Sequence, residues 1–559
     1  MNAEELAARL RSGESFEGQT LHDIDLRAQD LHGARLAKIT LFQARLEGAN
    51  LQGADLSEAQ ILDSSLDGAL LSGARLSGTK VLRTSLGGAD FSGADLSKVF
   101  FLKANLVGAN FWKANLREAV LDGADLSRAN FASATLAQSS FREAMLKEAS
   151  FEGAHIEQSI FLKANLVRAD LSGAEIDALI FTEADLRGAK LPKSLQKCSF
   201  DSARLSRLDR VRKDESELEV EEGESEYVDL SAKDLFFTSL RGVCLRNARF
   251  SDTRLEMADL SGCDLSGAEF SRANLKRAIL VGAILAHADL SGQDLEMSML
   301  MEADLSHTNL EGARMVMTNL ENAILDETRL SHAFLWGASI AGASLLGAKI
   351  ERTIFKTVDF GGLDLRQLRL NGLSMQRCSF LKANLRGMNL SGCDFTHADF
   401  TDADLSGAKL SQATLTQACL SRTQLDSADL SGIQAKGAFF GDAVLSKAKL
   451  LNAQLRHASF SGADASFCNF QQADLRETLW VRANAKNALF HSSRLDYADF
   501  SHADLRSADF SFAGLSTALL HNVKDGGTVW TGANLLGVRR TDVDRLEAEA
   551  YRPPPPDAV

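Results

Sequence analysis

The sequence predicts an all-β repeat solenoid, and three observations carry that prediction. Leu or Phe returns every fifth residue, as in Ala49-Asn50-Leu51-Gln52-Gly53-Ala54-Asp55-Leu56 and again in Ala403-Asp404-Leu405-Ser406-Gly407. The pulse keeps its register over long distances: centres run unbroken from Phe16 to Leu191, which is 36 repeats, and from Leu230 to Leu520, which is 59. Phenylalanine then sets the number of faces. Of 22 central Phe residues, 19 stand at multiples of ten from one another within their array, as Phe91, Phe101, Phe111 and Phe131 do. That alternation follows from four faces per turn, with Phe on one opposed pair and Leu on the other, so that bulk is shared within each layer. Ala465 and Ala485 obey the same logic, being small centres beside Phe460, Phe470, Trp480 and Phe490.

At 559 residues the chain is longer than one ordinary globular domain. A repeat array overrides that prior, because each repeat needs only its neighbours to bury its apolar side. The net charge of -14 argues against generic nucleic-acid binding, which needs clustered cations. No apolar run reaches the length of a membrane span, and residues 1–5 lack a basic, apolar leader. A cytoplasmic location is therefore expected, with delivery by a signal-peptide-independent route left open. Of the seven cysteines, Cys198, Cys263, Cys378, Cys393 and Cys468 stand two residues before a centre, where Ala is usual. They read as small buried hydrophobes, with no metal spacing. No cofactor and no metal site is expected.

The elements follow in order. Residues 1–13 form an N-terminal cap: a short amphipathic helix with Asn2 as N-cap, Leu6 and Leu10 facing inward, and Gly13 near its end. Residues 14–205 form the first solenoid. Its register drops by one residue near Pro192, whose missing N–H must bend or break the ladder. Residues 206–229 lose the pulse and carry 10 acidic and 4 basic residues, so they read as an acidic insertion or linker. Residues 230–520 form the second solenoid. Residues 521–551 form a C-terminal cap, because Asp525-Gly526-Gly527 interrupts the pulse and residues 541–551 can form a helix. Residues 552–559 are a proline-rich tail, extended or disordered.

Carried on these centres, the chain resembles the pentapeptide-repeat family. The resemblance implies a right-handed quadrilateral β-helix with four pentapeptides per coil, here as two rods with small helical caps. It also implies that the centre and the residue two before it point inward, while the other three point outward. Leu6-Ala7-Ala8-Arg9-Leu10-Arg11-Ser12-Gly13 further resembles the opening of pentapeptide proteins that accompany bacterial type VI secretion spikes.

Outward positions supply the candidate sites. On the face centred on Leu41, Ile61, Val81 and Phe101, the residue after the centre is Phe42, Leu62, Leu82 and Leu102, and the column resumes at Leu162. Before the centres of that face stand Phe100, Ile160 and Ile180. Together they form an apolar stripe, interrupted by Asp122 and Arg142, that reads as a protein-binding or dimerisation face. Smaller patches are Ile279, Val281, Met299 and Met301, and Phe334 with Trp336. Glu219, Glu221, Glu222, Glu224 and Glu226 form an acidic strap that serves as a docking element, a hinge or a solvated loop. His287 and His307 are 20 apart and read as ordinary stacked surface histidines. No nucleophile elbow, HExxH helix or P-loop spacing occurs, so catalysis is not expected.

The function read from these features is a non-catalytic scaffold or adaptor that presents long rigid faces to protein partners. A spike, effector or loading adaptor of type VI secretion is the partner that the second resemblance implies, and a homodimer is the other use of the stripe. The alternative, which the family resemblance implies, is a DNA mimic that inhibits a topoisomerase such as gyrase. Without the insertion only a thin negative charge is spread over the repeats, which weighs against mimicry.

Overall fold

The computed structural model describes residues 3–12, 14–205 and 227–551. The described part opens with helix α1 (Ala3–Arg11), which buries Leu6, Ala7 and Leu10. The chain divides into two compact units, Met1–Asp289, which includes α1, and Leu290–Val559. Each is a parallel β-solenoid. Its coils pair at a twenty-residue register, for example Asn50 with Leu70 and Leu70 with Asp90 in the first unit, and Asp404 with Gln424 in the second.

The five-residue step explains the architecture. Most centres donate their N–H to the next coil, as Leu56 does to Arg75 O at 2.7 Å. Two residues after nearly every centre the chain turns a corner in the left-handed region, where Gly53 has a φ of 63° and Glu58 one of 59°. The corner N–H is then bonded to the coil above, as Glu58 is to Ser77 O at 2.8 Å. Centres and the residues two before them fill the bore: Leu51, Ala54, Leu56 and Ala59 are wholly buried.

Extended three-residue strands form on one face of the first coils: β1 (Thr20–His22), β2 (Thr40–Phe42), β3 (Gln60–Leu62), β4 (Lys80–Leu82) and β5 (Phe100–Leu102). They make a five-stranded parallel sheet in sequence order. A two-stranded pair, β6 (His155–Glu157) and β7 (Glu175–Asp177), lies further along this unit. The second unit has a four-stranded sheet of β8 (Arg314–Val316), β9 (Phe334–Trp336), β10 (Ile354–Lys356) and β11 (Ser374–Gln376).

The phenylalanine rule holds in space. Phe111, Phe131 and Phe151 stack at centroid distances of 4.8 and 4.9 Å, nearly parallel, while Phe131 meets Phe141 edge-on at 6.0 Å. Residues twenty apart thus stack along a face, and residues ten apart meet across the bore. Trp480 is wholly buried, stacked on Phe460 at 4.2 Å and edge-on to Phe470 and Phe490, and its Nε1 donates to Thr478 Oγ1. Ala465 and Ala485, both wholly buried, make room for it.

Three features differ from the sequence expectation. At Pro192 the ladder loses one step and resumes one residue short: no bridge joins Glu175 to Ser194, yet Ile180 pairs with Ser199, and Phe181 still stacks on Phe200 at 4.9 Å. Pro192 is buried, filling an inward position that needs no N–H. The repeats on either side of 206–229 do not form separate rods. Leu195 donates to Asp234 O at 2.8 Å and Phe200 to Ser239 O at 2.7 Å, so the ladder crosses the insertion inside the first unit. The whole segment from Leu205 to Leu230 replaces a single corner step, and the units divide at 289/290 instead.

At the other end, residues 521–540 are a further coil, since Lys524, Val529, Asn534 and Arg539 all pair with the coil before. The pairing uses backbone alone, so Asp525-Gly526-Gly527 does not interrupt it. Helix α2 (Val543–Ala550) follows, capped by Asp542, and buries no residue of its own. Expectations for residues 1, 2, 13 and 552–559 fall outside the described residues.

Two measurements check this packing. Burial pushes the thiols of Cys198, Cys263 and Cys378 up to about 12 and that of Cys393 up to about 11, whereas Cys244 and Cys419 are only half-buried. A thiol-reactive dye at pH 8 is expected to label two of the seven cysteines quickly, Cys244 and Cys419, and all seven after denaturation. Trp480→Ala is expected to cost about 3–5 kcal/mol in denaturant unfolding, because the layer holds no side chain able to fill the void.

Candidate functional site

Most outward columns are polar and knitted along their length. In the column running through Asp30 and Asn50, the Asn50 amide donates to Asp30 Oδ1 at 2.9 Å. In its continuation Asn110 donates to Asp90 at 2.9 Å and Asn130 to Asn110 at 3.0 Å. The strand face of the first unit departs from this rule. Register pairs Phe42 with Leu62, Leu62 with Leu82, and Leu82 with Leu102. The His22 ring caps the column, edge-on to Phe42 at 5.4 Å.

Phe42, Leu62, Leu82 and Leu162 are half-buried, and Leu102 is 37 % exposed. The neighbouring column runs Phe100, Val120, Ser140, Ile160 and Ile180 by successive bridges, with Phe100 37 % and Ile180 40 % exposed. All eight stripe residues named from the sequence therefore share one face. Asp122 and Arg142 interrupt it: Asp122 accepts from the Ser140 hydroxyl and the Arg142 N–H.

The second unit repeats the pattern. Phe334 and Trp336 flank buried Leu335 on β9, Phe334 pairs with Ile354, and Lys356 lies over the Trp336 ring at 5.4 Å. Met317, at the corner below Trp336, is exposed. Of the remaining patch, half-buried Ile279 and Val281 belong to the first unit, while exposed Met299 and half-buried Met301 belong to the second. His287 and His307 likewise lie in different units. Glu219, Glu221, Glu222, Glu224 and Glu226 lie outside the described residues. In the second unit a cavity of about 340 Å³ opens between Leu345 and Leu365, where no inter-coil bond runs from Leu345 or Ile350 among the described residues.

Two groups were not visible in the sequence. Phe237 and Met257 in the first unit, and Phe467, Tyr497 and Phe512 in the second, are exposed at left-handed corners. The signal for them was an apolar residue two positions after a centre, where Gly or a polar residue is usual. The second group is His502, His521 and Glu549. Glu549 Oε2 lies 3.1 Å from His502 Nε2 and 3.2 Å from His521 Nε2, and Arg545 Nε donates to its other oxygen at 2.8 Å. His521 is wholly buried. Among the described residues no helix is long and apolar enough to cross a membrane.

The sequence profile described as "Pentapeptide repeat region" matches residues 94–171 and 353–430. That described as "Pentapeptide repeats (8 copies)" matches 40–78, 161–191, 229–267, 253–292, 303–335, 318–356, 438–476 and 483–522. No match was found among curated proteins. Among solved structures, the chain is similar to trypsin-treated QnrB1, a plasmid-mediated fluoroquinolone resistance protein, at 23% identity over 36% of this chain and 99% of that one, with a TM-score of 0.20. It is also similar to HetL, a pentapeptide repeat protein involved in heterocyst differentiation regulation in Nostoc sp. strain PCC 7120, at 27% identity over 63% and 97% of the two chains, TM-score 0.11. A pentapeptide repeat protein of the Arabidopsis thaliana thylakoid lumen matches at 21% identity over 30% and 78%, TM-score 0.12.

The C-terminal cluster makes a pH-dependent prediction. The Arg545 guanidinium holds the Glu549 carboxyl down at about 2, with His521 adding a further hydrogen bond. A carboxylate depressed in the folded state stabilises above its ordinary value and loses that contribution as pH falls through the folded one. Hydrogen exchange in α2 is therefore expected to accelerate progressively from about pH 4.5 down to about pH 2. Glu549→Gln is expected to show faster exchange already at neutral pH and no such acid step.

Proposed function

The chain belongs to the pentapeptide-repeat family, and on that premise we propose that it is a non-catalytic protein-binding scaffold or adaptor. It grips partners through the apolar strand face of its first unit. The observation that supports this reading is the column Phe42, Leu62, Leu82 and Leu102 beside Phe100, Ile160 and Ile180, at outward positions that elsewhere carry Asp, Asn and Ser. A partner that covers these side chains gains the transfer of already ordered apolar groups from water. The coil backbone beneath is fixed by its ladder, so little conformational entropy is lost on binding.

The patch around Phe334, Trp336 and Met317 supplies a second, smaller anchor in the other unit. Trp is over-represented among residues that dominate binding energy. The partner proposed is a protein with a complementary apolar surface. Seven free thiols suit a reducing compartment. DNA mimicry directed at a topoisomerase calls for an acidic contact surface, which this face does not offer.

The test compares wild type with a Phe42→Ser, Leu62→Ser, Leu82→Ser, Leu102→Ser variant by capture from the native host's lysate and by mass in solution. A partner or dimer lost only in the variant, with binding that persists as salt is raised, is the expected result. Unchanged partners and mass would sink the proposal. Binding that survives the substitutions but collapses with salt would favour mimicry instead.

A further inference from the structure

We propose that His502, His521 and Glu549 form a site for one divalent transition metal of the zinc class, which staples α2 to the last two coils. The three residues come from separate places in the fold. His502 stands at a left-handed corner of one coil, His521 opens the next coil, and Glu549 lies in the last turn of α2. Their ligand atoms all lie within 4.8 Å of one another.

The distances fit a shared ion. Zinc bonds of about 2.0–2.2 Å to nitrogen and oxygen in a tetrahedron place neighbouring ligand atoms about 3.3–3.5 Å apart. Glu549 Oε2 stands 3.1 and 3.2 Å from the two imidazole Nε2 atoms, close to that spacing, and the whole set lies within 4.8 Å, so small rotations of the two rings bring it onto one ion. Two imidazoles and one carboxylate suit zinc, cobalt or nickel. They do not suit magnesium or calcium, which require mostly oxygen. Three protein ligands leave a fourth position for water.

The surroundings orient the set. Arg545 Nε holds Glu549 Oε1, so only Oε2 is offered to the metal. His502 Nδ1 faces the Asn522 side-chain amide at 3.1 Å, and turning that amide presents its oxygen to an Nδ1–H. His521 Nδ1 instead accepts from the Asp542 N–H at 3.2 Å, so in the metal-free state its proton sits on Nε2, facing Glu549.

Loading the site leaves each ring with one proton, moved from Nε2 to Nδ1. It also requires the Asp542 N–H to turn away from the His521 ring. The helix start tolerates this, because the Asp542 side chain already caps α2 by accepting the Arg545 N–H at 3.1 Å. Since α2 buries no residue, ligation at Glu549 adds the strongest attachment available to it.

The test uses the full-length, tag-free chain stripped of metal by a chelator. Calorimetric titration with Zn²⁺ is expected to give one equivalent per chain, unaffected by excess Mg²⁺. Co²⁺ is expected to give the visible bands of a tetrahedral site, and zinc to slow tryptic cleavage after Arg540 and Arg545 about tenfold. Glu549→Gln and His502→Gln alter exposed or half-exposed positions, and circular dichroism verifies their fold. Both are expected to lose the equivalent and the protection. A wild type that takes up no zinc, or variants that bind it as wild type does, would overturn the site and leave a hydrogen-bonded latch.

Discussion

The stacking of apolar centres from coil to coil, laid out by the parallel ladder, is the interaction on which the rest of this protein depends. At nearly every fifth residue the chain turns a corner in the left-handed region, and many corners carry residues other than glycine, such as Lys38, Glu58 and Arg128. Each such corner costs roughly 1–2 kcal/mol. The inter-coil bond made by its N–H returns only about 0.5–1.5 kcal/mol net, so the two nearly cancel. What decides the balance is the centre, where a buried Leu or Phe contributes roughly 1.5–3 kcal/mol. The pulse of apolar centres is therefore the energetic reason that the corners close at all.

That division of labour explains what the fold tolerates. A missing residue at Pro192 and twenty extra residues after Leu205 both leave the neighbouring centres stacked, Phe181 on Phe200 and Leu195 below Leu235. Both changes fall between centres, so no buried side chain leaves its column. An insertion at a corner costs loop-closure entropy, which grows slowly with length.

This is also why some features were legible in the sequence and others were not. The period, the four faces, the Phe columns, the room beside Trp480 and the helix carrying Leu6 and Leu10 all follow from residue size and spacing. The last coil was not legible, because Asp525 has no coil above it that requires an apolar centre there. Lys524 and Val529 keep their pairing through backbone groups that carry no sequence signature. Nor does a five-residue period show that units divide at 289/290. The stripe could be read because its residues repeat at intervals of twenty. The meeting of His502, His521 and Glu549 depends on where α2 docks, which no periodicity encodes.

A solenoid of this kind separates what holds it together from what it presents. Outward columns change freely because the bore and the ladder do not depend on them, which allows a polar column through Asp90 and Asn110 and an apolar one through Leu62 and Leu82 in the same unit. The separation fails at the end of an array. Trp530 and Leu535 occupy inward positions of the last coil yet are only half-buried, and Leu536 is 76 % exposed. An end coil has one neighbour where an interior coil has two, so it is the first to open. Because α2 adds no buried side chain, the order of that end rests on polar contacts at Glu549, His502 and His521. Whatever strengthens those contacts therefore steadies the coils beneath them, and a change at one solvent-facing carboxylate reaches the bore.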